Sequence, residues 1–262
     1  MAKKPSTDFN ATKLASQLKK LDDEKFFDRM MREYPLDADT KRMEVAIKVM
    51  AKRFPKLSKA DQLTWALDTA VENNNTQMID FLLTKGAKID GTASAYMPGL
   101  LGNARYTPVA TAIQSGTAET LKHLFNKGAA PDPKDNSFLF NAAYMRRSLE
   151  KTRILLDAGT KSGAGRAVYG VLRVHRKTEI AREILERTGF DVNTNNGELV
   201  RSAVLGVQRG DEGPDGPVIS LLRSKGADFE AVAKRLEKEE ALCGITDSAT
   251  AKLARSLAAP KL

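Results

Sequence analysis

A short pattern recurs five times along the chain and constrains its fold more than any other feature. It reads LKHLFNKGA at Leu121–Ala129 and returns as IDFLLTKGA (Ile79–Ala87), TRILLDAGT (Thr152–Thr160), AREILERTG (Ala181–Gly189) and ISLLRSKGA (Ile219–Ala227). Each copy spaces its apolar residues as one stripe of a short helix and stops at a glycine, the residue suited to the left-handed turn that ends helices. A stripe on so short a helix cannot be covered from within its own hairpin. Neighbouring copies must cover it, so the copies stack.

A looser pattern precedes each copy. TPVATAI (Thr107–Ile113) lines up with WALDTAV (Trp65–Val71), FLFNAAY (Phe138–Tyr144), AVYGVLR (Ala167–Arg173) and ELVRSAV (Glu198–Val204). Thr107 can cap a helix whose first turn holds Pro108, and small Ala112, Ala142 and Ala143 let two helices approach closely. Gly86, Gly128, Gly159 and Gly226 end the second helices, and Leu82, Leu124, Leu155, Leu185 and Leu221 are expected to face the interior. Thr107-Pro108, Ala112, Gly116 and Gly128-Ala129 together make the chain resemble the ankyrin repeat over about residues 61–230.

The resemblance implies an all-α ankyrin-repeat solenoid of about five helical hairpins, at about 61–90, 103–132, 134–162, 163–193 and 194–230. It also implies a positive φ at Gly165, Asn136 and Asn196, before the first helices. The starts of the first helices lie 42, 31, 29 and 31 residues apart, against about 33 in the family. The surplus in the first interval falls in KIDGTASAYMPGLLGNAR, residues 88–105. In the fifth copy VQRGDEGPDGP, residues 207–217, reads as a flexible surface loop.

Flanking segments read as caps. Residues 1–60 form an N-terminal helical cap, with helices over ATKLASQLKKLDDEKFFDRMMREYP and DTKRMEVAIKVMAKRFP closed by Pro35 and Pro55. Ser58 and Asp61 then stand at capping-box spacing. Residues 231–262 form a C-terminal helical cap, and residues 1–8 and 259–262 are expected to be disordered. No apolar run reaches the roughly 20 residues needed to span a bilayer. The single cysteine, Cys243, fits a reducing compartment, so a cytoplasmic location is expected, and Cys243 itself is expected in the core.

The supply of catalytic groups is thin. His123 lies within a second helix, where a histidine is expected to be packed or surface-exposed, and Cys243 has no flanking charge pattern that activates a thiolate. Asp211, Glu212 and Asp215 lack the order of a calcium loop. GAGRAVYG lacks the strand and the Lys-Ser/Thr of a phosphate loop. No catalytic residue, metal site or cofactor is expected.

The net charge is +9, and residues 1–60 hold 15 Lys or Arg against 9 Asp or Glu. Such a balance favours acidic partners. By the resemblance, a concave face made by the turn tips and first-helix edges should include Asn103, Arg105, Tyr106, Gln114, Ser115, Lys134, Asp135, Met145, Arg146, Arg166, His175 and Arg176. Arg147, Arg173 and Lys177 add to the basic cluster of the third and fourth copies, although Arg173 occupies a position where a small residue is expected. Tyr96, Met97, Leu100 and Leu101 in the long turn have two readings, a docking element or a loop folded back on its own stack. The expected function is a non-enzymatic adaptor or inhibitor that binds another protein with an acidic surface. The alternative is a basic module for nucleic acid or another anionic ligand, centred on the arginines.

Overall fold

A computed structural model of the chain describes residues 9–55, 58–91, 107–175, 177–243 and 248–258. All regular elements among these residues are helical. The chain divides into two compact units, Met1–Ala130 and Pro131–Leu262. The expected disordered ends, residues 1–8 and 259–262, lie outside the described residues.

The first unit opens with α1 (Ala11–Lys20) and α2 (Asp23–Asp28), continues through a wide π-wound turn (Arg29–Glu33) into α3 (Tyr34–Leu36), and adds α4 (Thr40–Arg53). The expected single helix ending at Pro35 is therefore two. Leu21 is extended, and the Asp22 side chain accepts from the Lys25 N–H to start α2. Pro35 sits inside the last turn, because the helix before it has already widened: the Tyr34 N–H reaches back five residues to the Arg29 carbonyl. Phe26, Met30, Met43 and Met50 are fully or almost fully buried. Lys85 pairs with Glu44 at 3.2 Å and the Asn75 amide donates to the Pro35 carbonyl at 2.9 Å, so these helices contact the first hairpin. That hairpin is α5 (Lys59–Glu72) and α6 (Thr76–Thr84), and the second is α7 (Pro108–Gln114) and α8 (Ala118–Asn126).

The second unit holds three more hairpins. The third is α9 (Phe138–Phe140), a π-wound turn (Asn141–Met145) and α10 (Leu149–Asp157); the fourth is α11 (Ala164–Gly170), a π-wound turn (Val171–His175) and α12 (Thr178–Thr188). The fifth is α13 (Thr194–Gln208) with α14 (Pro217–Ser224), closed by α15 (Phe229–Leu242) and α16 (Ala249–Ala258). Within this unit α11 packs on α9, α12 on α10, α14 on α12, and α13 on α15 and α16.

The recurring sequence pattern corresponds to one recurring piece of backbone chemistry. Gly86, Gly128, Gly159, Gly189 and Gly226 all have positive φ, from 67° to 102°. In four copies the glycine N–H reaches back three residues and the next N–H reaches back five, to Leu82, Leu124, Leu155 and Leu222. These paired bonds satisfy helix-end carbonyls. The fourth copy closes with a single bond from Gly189 to Leu185. Leu82, Leu124, Leu155, Leu185 and Leu221 are all buried, none above 4% exposed. Thr107 accepts from the Ala110 N–H with Pro108 in the first turn, and Ser58 accepts from the Asp61 N–H.

Other local expectations fail for identifiable reasons. Asn196 has a positive φ, as do its neighbours Asn195 and Gly197, but Asn136 and Gly165 do not. Gly165 lies inside α11, where a Cβ would fall 2.6 Å from the Phe190 ring. The left-handed residue is Gly163, and a Cβ there would meet the Asn136 carbonyl oxygen at 2.0 Å. Cys243 is exposed rather than in the core: it follows the end of α15, where Ala241 and Leu242 are exposed as well. Residues 207–217 are tied down at several points: Arg209 pairs with Asp211, Glu212 accepts from the Val218 N–H, and Asp215 pairs with Arg223.

Candidate interaction face

The third and fourth hairpins carry one more residue between their helices than the second does. From Thr107 to the next helix cap, Thr117, the buried pair is Ala112 and Ile113; from Ser137 to Ser148 it is Ala142 and Ala143. The Asn75 N–H of the first hairpin reaches back five residues, to Ala70, whereas the Ser148 and Lys177 N–H groups reach back six, to Ala142 and Val171. Insertion of one residue into a helix produces such a widened turn. It also moves the register of the first helices by one residue relative to the sequence alignment. Leu172, not Arg173, therefore takes the buried position, and Arg173 is exposed.

The shift decides what these two first helices present. Met145 and Val174 occupy the same place at their ends and are 58% and 53% exposed, and Arg146 and Arg147 follow Met145 into solvent. Arg147 holds a left-handed φ of 52°, the conformation that Asn74 takes in the first hairpin. One turn earlier, Phe140 stacks on Tyr144 with centroids 4.8 Å apart, and the Arg166 guanidinium lies 3.9 Å from the Phe140 centroid. Gly170 makes room for the Tyr144 ring, since a Cβ there would fall 2.8 Å from it. Arg173 donates to the Tyr169 hydroxyl at 3.2 Å, and Ser202 reaches the same oxygen at 3.1 Å. A cleft of about 240 Å³, bounded by Arg166, Tyr169, Phe190, Glu198 and Leu199, opens beside this cluster.

The second helices treat charge differently. Arg153 of α10 reaches Glu183 of α12 at 2.6 Å, Arg187 of α12 reaches Asp157 of α10 at 2.5 Å, and Lys225 reaches Glu186 at 3.1 Å. In the first unit, Asp80 of α6 accepts from His123 at 2.8 Å and Lys127 at 2.9 Å. Burial alone would raise the Asp80 pKa, but the hydrogen bonds from Lys127 and His123 carry it below the usual carboxylate range. Exposed pairs of this kind contribute at most about 1 kcal/mol each. They tie neighbouring second helices together. Among the described residues, Arg146, Arg147, Arg166 and Lys177 have no carboxylate within ion-pair distance. Burial chiefly, and the nearby Arg146 charge second, lower the Lys151 pKa.

The expected face residues distribute as follows. Gln114 is half-buried and Ser115 exposed at the end of α7. In the second unit Lys134, Met145, Arg146 and Arg166 are exposed, while half-buried Asp135 accepts from the Ser137 N–H at 2.7 Å. Tyr96, Met97, Leu100, Leu101, Asn103, Arg105, Tyr106 and Arg176, and the His175 side chain, lie outside the described residues. Sequence reasoning missed Phe140, Tyr144, Tyr169 and Phe190. The signal was present as aromatics at Phe140 and Tyr169, equivalent positions of adjacent hairpins.

Among the described residues no cluster of His, Cys, Asp or Glu has the makings of a metal site, and no helix is long and apolar enough to cross a membrane. Comparison with known proteins matches no family model, no curated protein and no solved structure.

Proposed function

We propose that the chain is an ankyrin-type repeat protein and that it acts as a non-enzymatic, cytoplasmic interaction module, an adaptor or inhibitor of another protein. The reading is supported by five hairpins with a buried leucine in each second helix, four of which share one closing turn, the arrangement a stacking repeat requires. The observation that carries the functional part is the contrast between the faces. Outer helices are cross-linked by ion pairs, while the first helices of the third and fourth hairpins hold exposed arginines, aromatics and two exposed aliphatic side chains. Arginine, aromatic residues and methionine are enriched at the centres of protein interfaces.

Capture from an extract by the immobilised chain, followed by mass spectrometry, tests this reading. One partner retained by the wild type and by an outer-face control, Lys122→Glu, is expected to be lost with Met145→Asp. Equal capture by all three proteins would refute it.

Exposed arginines also fit phosphate, so the second reading is a nucleic-acid or anionic-ligand module. Submicromolar, sequence-selective oligonucleotide binding at physiological salt would favour that reading, whereas weak binding that collapses with salt is what any basic protein gives.

A further inference from the structure

The proposed interaction reading leaves the chemistry of the partner open, and the geometry of the third and fourth hairpins narrows it. A guanidinium stacked on a ring uses its flat face, while its five N–H groups lie in the plane and stay free for a bidentate acceptor. Arg166 is held in this manner over Phe140, and Phe140 is itself fixed by Tyr144. Arg173 is held over Tyr169, 5.5 Å from the ring centroid, with one N–H on the hydroxyl. Both arginines are therefore positioned before any ligand arrives, which reduces the ordering cost of binding.

Three further features select the acceptor. Among the described residues one carboxylate lines the cleft beside Arg166, Glu198, and it lies 3.6 Å from Arg201. The excess positive charge of Arg146, Arg147, Arg166 and Lys177 therefore faces outward. Met145 and Val174 stand exposed beside those charges, and an aliphatic footing next to cations suits a peptide side chain better than a sugar-phosphate backbone. The cleft beside Arg166 is lined by Tyr169, Phe190 and Leu199 and has room for one apolar side chain.

We infer that this face binds an acidic peptide segment in which carboxylates flank a large apolar residue, with Arg166 and Arg173 taking the carboxylates and the cleft or the Met145–Val174 pair taking the apolar side chain. This rests on the interaction reading above. It adds the class of partner.

Selection from a random dodecapeptide display library on the full-length chain tests it, with binding of the selected peptides measured at physiological salt. Selected sequences should be enriched in Asp or Glu on both sides of Leu, Ile, Met, Phe or Tyr. Their affinity should fall about tenfold or more with Arg166→Glu and with Arg173→Glu, each checked for folding by circular dichroism, and stay unchanged with Lys122→Glu. Arg166→Lys should also weaken binding, because lysine keeps the charge and loses the stacked fork. Neutral or basic selected sequences, indifference to both reversals, or displacement of the peptides by equimolar single-stranded oligonucleotide would each overturn the inference. Failure to select any peptide would overturn it too. Partner capture that remains sensitive to Met145→Asp after such a failure would leave the interaction reading standing.

Discussion

Asp68 provides the sharpest test of the energetics of the first unit. It lies on α5, half-buried, where it faces α7 and receives a hydrogen bond from the Thr111 hydroxyl at 3.5 Å. Burial is the main cause that raises its pKa from 3.8 to about 8; Thr111 opposes the shift and nearby Glu72 adds to it. The sign follows from proton counting. Between these two values the folded state holds the proton and the unfolded state does not, so stability falls as pH rises. The contribution is fully present below 3.8 and is lost by about 8. A shift of about four units at roughly 1.4 kcal/mol each gives about 6 kcal/mol for a sealed carboxyl. Water reaches this one, which reduces the expected effect to about 2 kcal/mol. Asp68→Asn removes the titration and keeps the shape. Urea unfolding of both proteins at about pH 3.5 and about pH 9 should show the variant gaining about 2 kcal/mol over the wild type as pH rises. A constant difference, or a wild type that gains on the variant with pH, would refute the argument.

Other outcomes follow from packing and backbone geometry. Leu124 is fully buried in the second hairpin, so Leu124→Ala should cost about 2 to 5 kcal/mol in urea unfolding. Gly163→Ala meets both a left-handed φ and the Asn136 carbonyl and should cost about 3 kcal/mol or more. Gly86→Ala, where a Cβ meets nothing within 4 Å, should cost only about 1 kcal/mol, which thermal melts of the two variants can separate. Ser148→Ala removes the acceptor for the Lys151 N–H and should cost about 1 kcal/mol by the same measurement.

The parts of the fold legible in the sequence are those set by local chemistry that repeats. A glycine after an apolar stripe gave the helix ends, because only a residue tolerant of positive φ can close the helix with the paired bonds seen at Gly86, Gly128, Gly159 and Gly226. Thr107 before Pro108 gave a cap for the same reason. What sequence could not place was a one-residue change of winding. In FLFNAAYMRRS and AVYGVLRVHRK no fixed landmark shows where the extra residue sits, so alignment by sequence puts the first helices one position out and makes Arg173 look misplaced. Likewise Asp22 capping a new helix competes with an unbroken periodic pattern. The capping bond to the Lys25 N–H decides that competition. Nor could the candidate site be assembled from the pattern alone. Arg166 meets Phe140 across the boundary between hairpins, and Tyr169 meets Ser202 across the next.

The same widened turns give a physical reason why the face should lie on these two hairpins rather than elsewhere in the second unit. A helix wound with ordinary spacing keeps its last turn packed, as Ala112 and Ile113 are packed in the second hairpin. An extra residue has to be accommodated without breaking the bond to the next helix cap, and the backbone does so by reaching one residue farther, from Ser148 to Ala142 and from Lys177 to Val171. The residues displaced outward then become a surface feature with no packing role. In the third hairpin those residues are Met145, Arg146 and Arg147, all exposed. An apolar side chain and cations placed in solvent contribute little to folding. They are left available to the acidic partner proposed above, which would meet the unpaired cations and the exposed methionine together.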